Sequence, residues 1–546
     1  MSHDTSNLFL ERVHAYHNQT KHRFGKYAAG PDFLDWDQQP DPFRRFAPAE
    51  LIPLPFDFEG LPDLALNELN HPPLHKAIPE WGLQEISSLL RFSLGLAAWK
   101  VAGPDRWSLR CNPSSGNLHP TEAYLIIRGL TALPDGVYHY APYHHALELR
   151  AEMSVSAQTS ENQIEIFVGL SSIAWREAWK YGERAYRYVQ LDLGHAIGAL
   201  AYSAATLGMH LTQVCVERSR LATLLGVDRK EDFADAESES PDLLLRLSSG
   251  AIEQMSDLPD GLVDAAQTAV WHGQANRLST SPQHHWPIIQ EMEQAMMESP
   301  PPEKGRLLEQ NLPAPRPPQN QSTHQLILQR RSAQAFNGKS SLSQEIFFQI
   351  LDQLLPRQNE TPWNSWPFQP NVHLVLFVHN VDNLSQGLYL LPRHSQAIPQ
   401  LKASMNQDFL WEHPDEAPDQ LPLFRLVTAN SKKVARALSC HQEIAASSFF
   451  SLGMLAEFDN TLSKQGHQAY PELFWEAGLI GQVLYLQAEA HSVRGTGIGC
   501  FFDDGVHETL GLSNTLFQSL YHFTVGQPKT DDRLQTLPPY QHIERS

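Results

Sequence analysis

Cysteine is scarce in this sequence, and the few cysteines are widely spaced. The 546 residues include only four, Cys111, Cys215, Cys440 and Cys500, and no CxxC pair. Without closely spaced cysteines, the sequence predicts neither a disulfide framework nor a cysteine-based metal site. This scarcity indicates a reducing compartment and excludes the class of small secreted domains that are held together by disulfides.

Long apolar runs and an excess of basic charge are missing as well. Residues 1–25 are polar and lack the apolar core of a signal peptide, and no later stretch has roughly eighteen consecutive apolar residues. Lysine and arginine number 41 against 61 aspartates and glutamates, so the formal net charge is -20. Such a surface repels nucleic acids and anionic membranes. We therefore expect a soluble, cytoplasmic protein that binds neither.

Histidine is abundant, but its pattern does not predict a metal centre. The 26 histidines include an adjacent pair at 144–145 and the pair His17 and His22, and none of these has partner ligands at a recognised spacing. We expect no metal ion and instead surface or hydrogen-bonded histidines.

The chain is long enough for more than one domain. Hydrophobic residues make up 42% of the sequence and charged residues only 19%, which suffices for sizeable cores in a globular protein. A proline-rich polar stretch at 298–322 has the composition of an interdomain linker. We expect an N-terminal arm at 1–80 with an extended proline-containing part, a first domain at 81–297 and a second at 323–546.

The two halves on either side of this linker resemble each other. GVY at 136–138 recurs as GLY at 387–389 after strand-like runs at 123–127 and 372–378, which predicts a hairpin in each half. DLG at 192–194 and EAG at 476–478 each open an apolar helical stretch, and LGV at 225–227 matches LGL at 510–512. The second half carries extra residues, which we place in a lid or surface loop at 405–421.

Alternation of strand-like and helical segments indicates the fold class. Strand-like runs at 164–168, 243–247 and 423–427 are separated by helical segments, which is typical of α+β or α/β layers. The helix expected at 187–207 is apolar nearly all round and contains Gly194 and Gly198, so it should pack centrally.

The segment RWSLRCNPSSGNLHPTEAYLI at 106–126 is the first candidate for chemistry. Its PSSGN sequence, at 113–117, places hydroxyls, an amide side chain and backbone N–H groups on a tight turn before a buried strand. Such a surface suits the edge of a planar polar ring. Taken alone, the motif favours an ordinary hydrogen-bonded turn.

The segment RRSAQAF at 330–336, directly after the linker, is the second candidate. Arg330 and Arg331 offer planar forks of donors that match phosphate oxygens, and Ser332 adds a hydroxyl. Taken alone, this pattern favours a solvated basic helix end.

In this order and context, the two segments resemble the nitroreductase-like flavoprotein family, specifically its branch of dehydrogenases that oxidise azolines in ribosomally made peptides. PSSGNLHPTEAYL resembles the flavin-edge motif of the branch, WKYGERAYRYVQLDLGH at 179–195 its active-site segment, and RRSAQAF the phosphate clamp of the family. DGVYHY at 135–140 is similar to the hairpin after the edge motif, and YHNQTKH and LDWDQQP in the arm to the leader of a tandem-domain subgroup. The resemblance covers nearly the whole chain.

The resemblance implies an α+β protein of two fused nitroreductase-like domains that form a pseudo-dimer within one chain, so that a monomer suffices. Flavin mononucleotide (FMN) then lies between the clamp of one half and the turn of the other. The complete clamp is in the second half and the complete turn in the first, so both belong to one composite site. The reciprocal site would need 89–95 as a clamp and 361–370 as a turn, and neither keeps the pattern. We expect one FMN per chain.

By the same resemblance, the residues expected to bind FMN are Arg110, Pro113, Ser114, Ser115, Asn117, Arg330, Arg331, Ser332, Gly495, Gly497, Lys529 and Arg533. RGTGIGCF at 494–501 resembles the Gly-rich turn that approaches the flavin ring, and TVGQPKTDDRLQ at 524–535 the basic tail of the family. The clamp of the family usually has another basic residue two places after its serine. That position is Gln334 here, so the phosphate charge must be met elsewhere.

GTGIG at 495–499 also invites a dinucleotide-binding interpretation. A helical stretch rather than a strand precedes it, however, and no βαβ unit follows. The sequence therefore disfavours a Rossmann domain.

Lys180 and Tyr181 are the expected catalytic residues. An ammonium beside a phenol can take up, donate or stabilise a proton if burial lowers the pKa of the lysine, and flavin-dependent removal of two hydrogens needs a proton acceptor. Without the resemblance, the pair would be interpreted as an ordinary amphipathic pair. With it, the catalytic interpretation is favoured.

The sequence thus predicts an FMN-dependent oxidoreductase that resembles azoline dehydrogenases and acts on a small-molecule or peptide substrate. One alternative is an NAD(P)H-dependent nitro or quinone reductase. The other is a catalytically silent flavin-binding scaffold in a peptide-modifying complex.

Overall fold

The computed structural model describes residues 3–69, 81–154, 164–249, 255–281, 284–302, 312 and 321–543. Most of the linker predicted at 298–322 lies outside the described residues. Within the described part of the chain, no helix is both long and apolar enough to cross a membrane.

Helices and strands alternate along the described chain. The α-helices are α1 (His3–Gln19), α2 (Leu83–Arg91), α3 (Ala174–Tyr181), α4 (Ala185–Thr206), α5 (Arg218–Leu225), α6 (Leu262–Thr268), α7 (Pro287–Met297), α8 (Thr323–Gln329), α9 (Gln344–Asp352), α10 (Ile398–Ser404), α11 (Lys432–Leu438), α12 (Glu443–Ala446), α13 (Phe458–Gln465), α14 (Ala469–Ala490) and α15 (Asp503–Leu510). The strands are β1 (Phe46–Ala47), β2 (Leu51–Pro53), β3 (Leu96–Ala102), β4 (Asp105–Arg110), β5 (Thr121–Arg128), β6 (Gly136–Ala141), β7 (Ala146–Glu152), β8 (Glu165–Ser172), β9 (His210–Cys215), β10 (Ser240–Ser248), β11 (Met255–Asp257), β12 (Val270–Trp271), β13 (Gln274–Ala275), β14 (Val372–Val378), β15 (Gly387–Leu391), β16 (Phe424–Thr428), β17 (Phe450–Glu457), β18 (Arg494–Ile498), β19 (Phe517–Gly526) and β20 (Gln535–Leu537).

Two large sheets, one in each half, share the same strand order. The order in the first half is β11-β9-β10-β8-β5-β6-β7-β12, with β2 paired to β7, and in the second half it is β16-β15-β14-β17-β19-β18. Read from its other edge, the second sheet matches β9-β10-β8-β5-β6-β7 strand for strand. Neighbouring strands are antiparallel, apart from the short pair β9 and β11. The fold is therefore α+β with an internal repeat, as the sequence predicted.

The sequence landmarks of the repeat fall at equivalent places. GVY and GLY begin β6 and β15, each in the predicted hairpin. Gly226 and Gly511 end α5 and α15 with φ of 69° and 75°, a left-handed conformation that favours glycine. DLG and EAG do not open their helices, however, but lie well inside α4 and α14. The extra residues at 405–421 form an irregular, mostly exposed segment between α10 and β16.

Helices α4 and α14 form the centre of the pseudo-dimer. Every residue of α4 is buried, and the two helices touch backbone to backbone at Gly194 and Gly478. A Cβ built on Gly194 would collide with the carbonyl oxygen of Trp475, and one built on Gly478 would collide with that of Leu191. The glycines of the two repeated tripeptides therefore permit the close approach of the halves.

A buried ion cluster ties the arm to both halves. Asp503 of the second half accepts hydrogen bonds from Arg184 at 2.9 Å and Arg187 at 2.8 Å in the first half, and from the backbone N–H of His22 in the arm at 2.9 Å. Burial alone would raise the pKa of Asp503, but the two guanidiniums hold it well below its usual range. The arm itself begins with α1, a helix that the sequence analysis did not predict.

The C-terminal region of the second half adds a strand to a small sheet of the first half. β20 pairs with β3, which in turn pairs with β4, in a separate three-stranded sheet. β4 ends at Arg110 and leads directly into the PSSGN turn, so this sheet lies beside the candidate site.

Cys440 and Cys500 form a disulfide, which corrects the prediction that the cysteines make none. The two residues are 60 positions apart, and the fold brings the end of α11 beside the segment that joins β18 to α15. Their spacing in the sequence gave no signal of this pairing. Cys111 and Cys215 are thiols.

The GTGIG segment also differs from expectation, because it is a strand rather than a turn. β18 pairs antiparallel with β19 at the edge of the second sheet. Helix α14 precedes it, as the argument against a Rossmann domain required.

Candidate functional site

The PSSGN turn is held in one conformation by its own side chains and by α4. Gly116 and Asn117 have φ of 58° and 60°, and the amide of Asn117 donates to the carbonyl oxygen of Ser108 at 2.9 Å. Ser115 donates its backbone N–H and its hydroxyl to Asp192, at 2.9 Å and 2.8 Å. The turn thus presents fixed polar groups before the buried strand β5, as the sequence predicted.

The RRS segment meets this turn across the two halves. Arg330 directly follows α8 and is buried, and it donates to the carbonyl oxygens of Cys111 at 3.1 Å and Arg110 at 3.2 Å. Arg331 donates to the carbonyl oxygen of Ala97 at 3.4 Å. The segment is therefore not a solvated helix end, and the structure brings together the two motifs that the sequence analysis assigned to one site.

Two adjoining cavities lie where the motifs meet, and they share Pro113, Ser114 and Ser332. The larger has a volume of about 520 Å³, and we call it the cationic cavity because its lining includes Lys100, Arg110, Arg330, Arg331, Arg494 and Lys529. The smaller, of about 280 Å³, is the tyrosine cavity, lined by Tyr181, Tyr188, Tyr485 and Tyr521 together with Ser115, Gly116, Asp192, His195, Gly497 and Cys500. Both halves contribute walls to each cavity.

The cationic cavity has the donor set of a phosphate site. Its six cationic side chains face a single carboxylate, that of Asp531, among the lining residues described. Burial lowers the pKa of both Arg110 and Arg331 to about 10, because it disfavours the charged guanidinium. Two buried polar atoms there, Nε of Arg110 and Oδ1 of Asn112, have no hydrogen-bond partner. A phosphate and its attached sugar chain would satisfy these groups, so the residues fit FMN.

Of the two cations that the sequence predicted in the C-terminal tail, Lys529 lines the cationic cavity and Arg533 does not. Lys529 lines the cationic cavity, and its backbone N–H donates to the carbonyl oxygen of Ala335 at 2.9 Å. Arg533 instead has a side chain that is 87% exposed and pairs with Asp531 at 2.7 Å. Lys100 and Arg494, which the sequence analysis did not name, supply charge where Gln334 lacks it.

The two glycines predicted in the RGTGIGCF segment differ in position. Gly497 lines the tyrosine cavity and donates its N–H to the hydroxyl of Tyr485 at 3.0 Å. Gly495 lies behind the wall, where a Cβ would come within 2.5 Å of Phe523, and its carbonyl accepts the N–H of Ala333 at 3.1 Å. Gly495 therefore docks the RRS segment onto β18.

Lys180 and Tyr181 lie against the PSSGN turn, as their predicted role requires. A Cβ built on Gly116 would lie 2.6 Å from the hydroxyl of Tyr181 and 3.2 Å from Nζ of Lys180. Burial, and then the charge of Glu177, raises the pKa of Tyr181 well above its usual value. Tyr181 therefore keeps its proton at neutral pH, and it can donate a hydrogen bond but not act as a base.

The arm crosses the segment that follows these two residues. Glu183 donates its N–H to the carbonyl oxygen of Ala29 at 3.0 Å, and the indole of Trp179 donates to that of Asp35 at 3.2 Å. Gly182, with φ of 57°, leaves room for this crossing, because a Cβ there would collide with the Ala29 oxygen. The arm thus fixes the position of Lys180 and Tyr181.

A pair of buried carboxyl groups beneath the turn escaped the sequence analysis. Burial raises the pKa of Asp192 to about 7, although hydrogen bonds from Ser114 and Ser115 oppose the shift. Burial, and then the charge of Asp192, raises the pKa of Glu177 well above its usual value. The pair therefore holds a transferable proton near neutral pH. The available signal was an aspartate in the middle of the mostly apolar helix α4.

The reciprocal position is packed with side chains. Glu476, the counterpart of Asp192 in the repeat, forms an ion pair with the fully buried Arg393. The guanidinium of Arg393 stacks 4.6 Å from the ring centre of Trp363, in the segment that would have to supply the second turn. Trp366 and Phe368 of that segment are also buried. These contacts support the prediction of a single composite site.

A group of His373, His394 and Glu457 lies at metal-ligand spacing in the described part of the chain, with ligand atoms within 4.8 Å of one another. Nδ1 of His373 accepts the backbone N–H of Arg393 at 3.2 Å, which places the proton on Nε2, and Nε2 donates to Glu457 at 3.1 Å. His394 donates to the same oxygen at 2.8 Å. The three side chains thus form a hydrogen-bond network in this structure, and the absence of a metal stays a prediction.

The two similar sheets and their shared central helices define a tandem α+β fold. Residues 327–527 match the model of the nitroreductase family, so the second half is a nitroreductase-family domain and the predicted resemblance is confirmed. The solved structure of a nitroreductase-like protein from Anabaena variabilis covers 95% of this chain and 99% of its own, with a TM-score of 0.68 and 21% identity. The fold of two fused nitroreductase-like domains thus extends over nearly all of the described residues.

Two curated relatives align with shorter parts of the chain. A nitroreductase-like protein of Methanocaldococcus jannaschii is 27% identical over 145 residues, which is 24% of this chain and 67% of the relative. The trifolitoxin-processing protein TfxB of Rhizobium leguminosarum bv. trifolii is 30% identical over 131 residues, which is 21% of this chain and 35% of TfxB. The chain is thus similar to these two proteins and spans about a third of the length of TfxB.

Proposed function

We propose that the chain is an FMN-dependent oxidoreductase that binds one FMN between the RRS segment and the PSSGN turn and dehydrogenates azoline rings in a peptide. The observation that carries this proposal is the pair of hydrogen bonds from Arg330 to the carbonyl oxygens of Cys111 and Arg110. They join the two motifs, which are more than two hundred residues apart, at the boundary of two cavities with different chemistry.

The cationic cavity suits the phosphate of FMN, held by Arg331, Lys529 and their cationic neighbours. In this proposal Ser114 and Ser115, which line the tyrosine cavity, meet the polar edge of the ring, and Asn117 lines the cationic cavity. FMN, when bound, supplies a two-electron acceptor for hydrogen removal. The other functions that the reaction needs, such as proton transfer, are provided by side chains of the protein.

Lys180, Tyr181 and Asp192 are the residues that handle protons in this proposal. Tyr181 donates a hydrogen bond into the tyrosine cavity, and Lys180 places a positive charge beside the turn. Asp192 accepts the proton that substrate oxidation releases, because its pKa of about 7 leaves much of it ionised near neutral pH. Glu177 keeps its own proton, so the pair does not hold two buried negative charges.

A peptide substrate is supported by the relative TfxB, a trifolitoxin-processing protein, and by the aromatic arm over the active-site segment. In the arm, Trp36 is 64% exposed and its ring lies 5.4 Å from that of Trp179. The nitro or quinone reductase remains the second candidate, because nitroreductase membership alone does not choose a substrate. Location in the cytoplasm stays a prediction.

Substitutions in opposite halves should weaken the same FMN. We expect Arg331→Ala to raise the dissociation constant of FMN roughly 10- to 100-fold, because a charge-assisted phosphate contact contributes about 1.5–3 kcal/mol. Ser114→Ala should weaken binding less, by up to about tenfold. Arg533→Ala is the matched control and should leave affinity unchanged, because its side chain faces solvent. Fluorescence titration with FMN measures all three, and normal affinity in either of the first two variants would contradict the composite site.

A further inference from the structure

The disulfide between Cys440 and Cys500 joins two walls of the tyrosine cavity. Cys500 and its neighbour Gly499 line the cavity, as does Gln442, two residues after Cys440. The side chain of Gln442 donates to the carbonyl oxygen of Cys500 at 3.3 Å and so connects the two segments a second time. Cys500 of the disulfide therefore borders the same space as Tyr181, Asp192 and the PSSGN turn.

The two cysteines are also accessible. Both are only partly buried, in contrast to Cys111, which is buried and lies outside the disulfide. Burial raises the pKa of Cys111, so that thiol is unreactive. His441, which follows Cys440 directly, is exposed as well.

The backbone around Cys440 has the geometry of a specialised site. Cys440 and His441 have φ of 49° and 60°, two consecutive residues other than glycine in the left-handed region. Such conformations cost free energy, persist only where surrounding contacts impose them, and concentrate at functional sites.

We propose that Cys440 and Cys500 are a second redox centre, which takes the two electrons from the reduced flavin of the same chain. The S–S bond breaks as the pair gains two electrons and two protons and becomes two thiols. The anionic reduced flavin gives up two electrons and one proton and returns to its oxidised form, and the second proton comes from solvent. An external disulfide then reoxidises the dithiol by exchange. Electrons taken from the substrate thus leave the protein through the disulfide, and no second bound cofactor is needed.

This inference rests on the proposed flavin site, and the two can be tested separately in one experiment. The FMN-loaded full chain is photoreduced without oxygen in graded steps, its flavin absorbance is read, and the protein is then unfolded in an alkylating reagent and weighed by mass spectrometry. We expect two alkylated thiols, Cys111 and Cys215, before reduction and four once the flavin has been reduced and re-equilibrated. Full reduction should take four electrons per chain.

Matched variants separate the outcomes. Cys440→Ser with Cys500→Ser should take two electrons and show two thiols throughout, and Cys215→Ser should gain two thiols as the wild type does. Flavin that becomes fully reduced while the wild type keeps two thiols would overturn the redox centre and leave the flavin site intact. A chain that binds no flavin would overturn both proposals, and the absorbance reading distinguishes this case.

Discussion

Replacing Lys180 by alanine should slow reduction of the bound flavin by an azoline peptide about 10²- to 10⁴-fold, the usual contribution of a group that assists proton transfer. Nζ of Lys180 lies 3.2 Å from the position of a Cβ built on Gly116, a residue that lines the tyrosine cavity, and Lys180 does not line the cationic cavity as described. Flavin content should therefore stay near that of the wild type. Single-turnover absorbance measurements with saturating FMN give the rate.

Tyr181→Phe should also slow flavin reduction, because the variant keeps the ring and loses the hydroxyl that lines the cavity. Lys433→Ala removes an exposed lysine on α11 and is the matched control, with an unchanged rate. If wild type and Lys180→Ala, both fully loaded with FMN, showed equal rates of flavin reduction, Lys180 would have no catalytic role and would be an ordinary half-buried helix residue. That result would favour the nicotinamide-driven reductase instead.

The rate should rise with pH through about 7, because Asp192 must be ionised to accept a proton and its pKa is about 7. The direction follows from burial, which disfavours the charged form, so the active carboxylate is lost as the pH falls through this value. Asp192→Asn should abolish this rise and lower the rate above pH 7 about 10²- to 10⁴-fold. Stopped-flow flavin reduction across this pH range is the measurement.

Ser115→Ala tests the same assignment by a directional shift. The hydroxyl of Ser115 donates to the Asp192 carboxylate at 2.8 Å and stabilises its charged form. Loss of this bond should move the midpoint of the pH profile upward. A midpoint that is the same in wild type, Ser115→Ala and Asp192→Asn would assign the titration to another group.

Much of the fold could be predicted because the repeat is visible in short sequence motifs. The hairpins at GVY and GLY and the left-handed glycines at 226 and 511 depend on neighbouring residues in the chain. The PSSGN turn and the RRS segment were recognised for the same reason. Their meeting at one site followed from the pseudo-dimer that the family resemblance implied.

The remaining features arise from contacts that sequence periodicity does not encode. The pairing of Cys440 with Cys500 depends on where α11 ends relative to β18. The raised pKa of Asp192 depends on burial under the turn, and the solvent exposure of Arg533 on its local ion pair with Asp531. GTGIG forms a strand because it pairs with β19. Its high glycine content indicated a turn instead.

The central claim, one composite flavin site in a chain with two similar halves, is tested most directly by the flavin content of the purified full chain. The protein is saturated with FMN, freed of unbound flavin, and unfolded, and the released FMN is quantified against the protein. We predict one FMN per chain, because Arg393 and Trp363 pack the reciprocal position. Two FMN per chain, or none, would contradict the account.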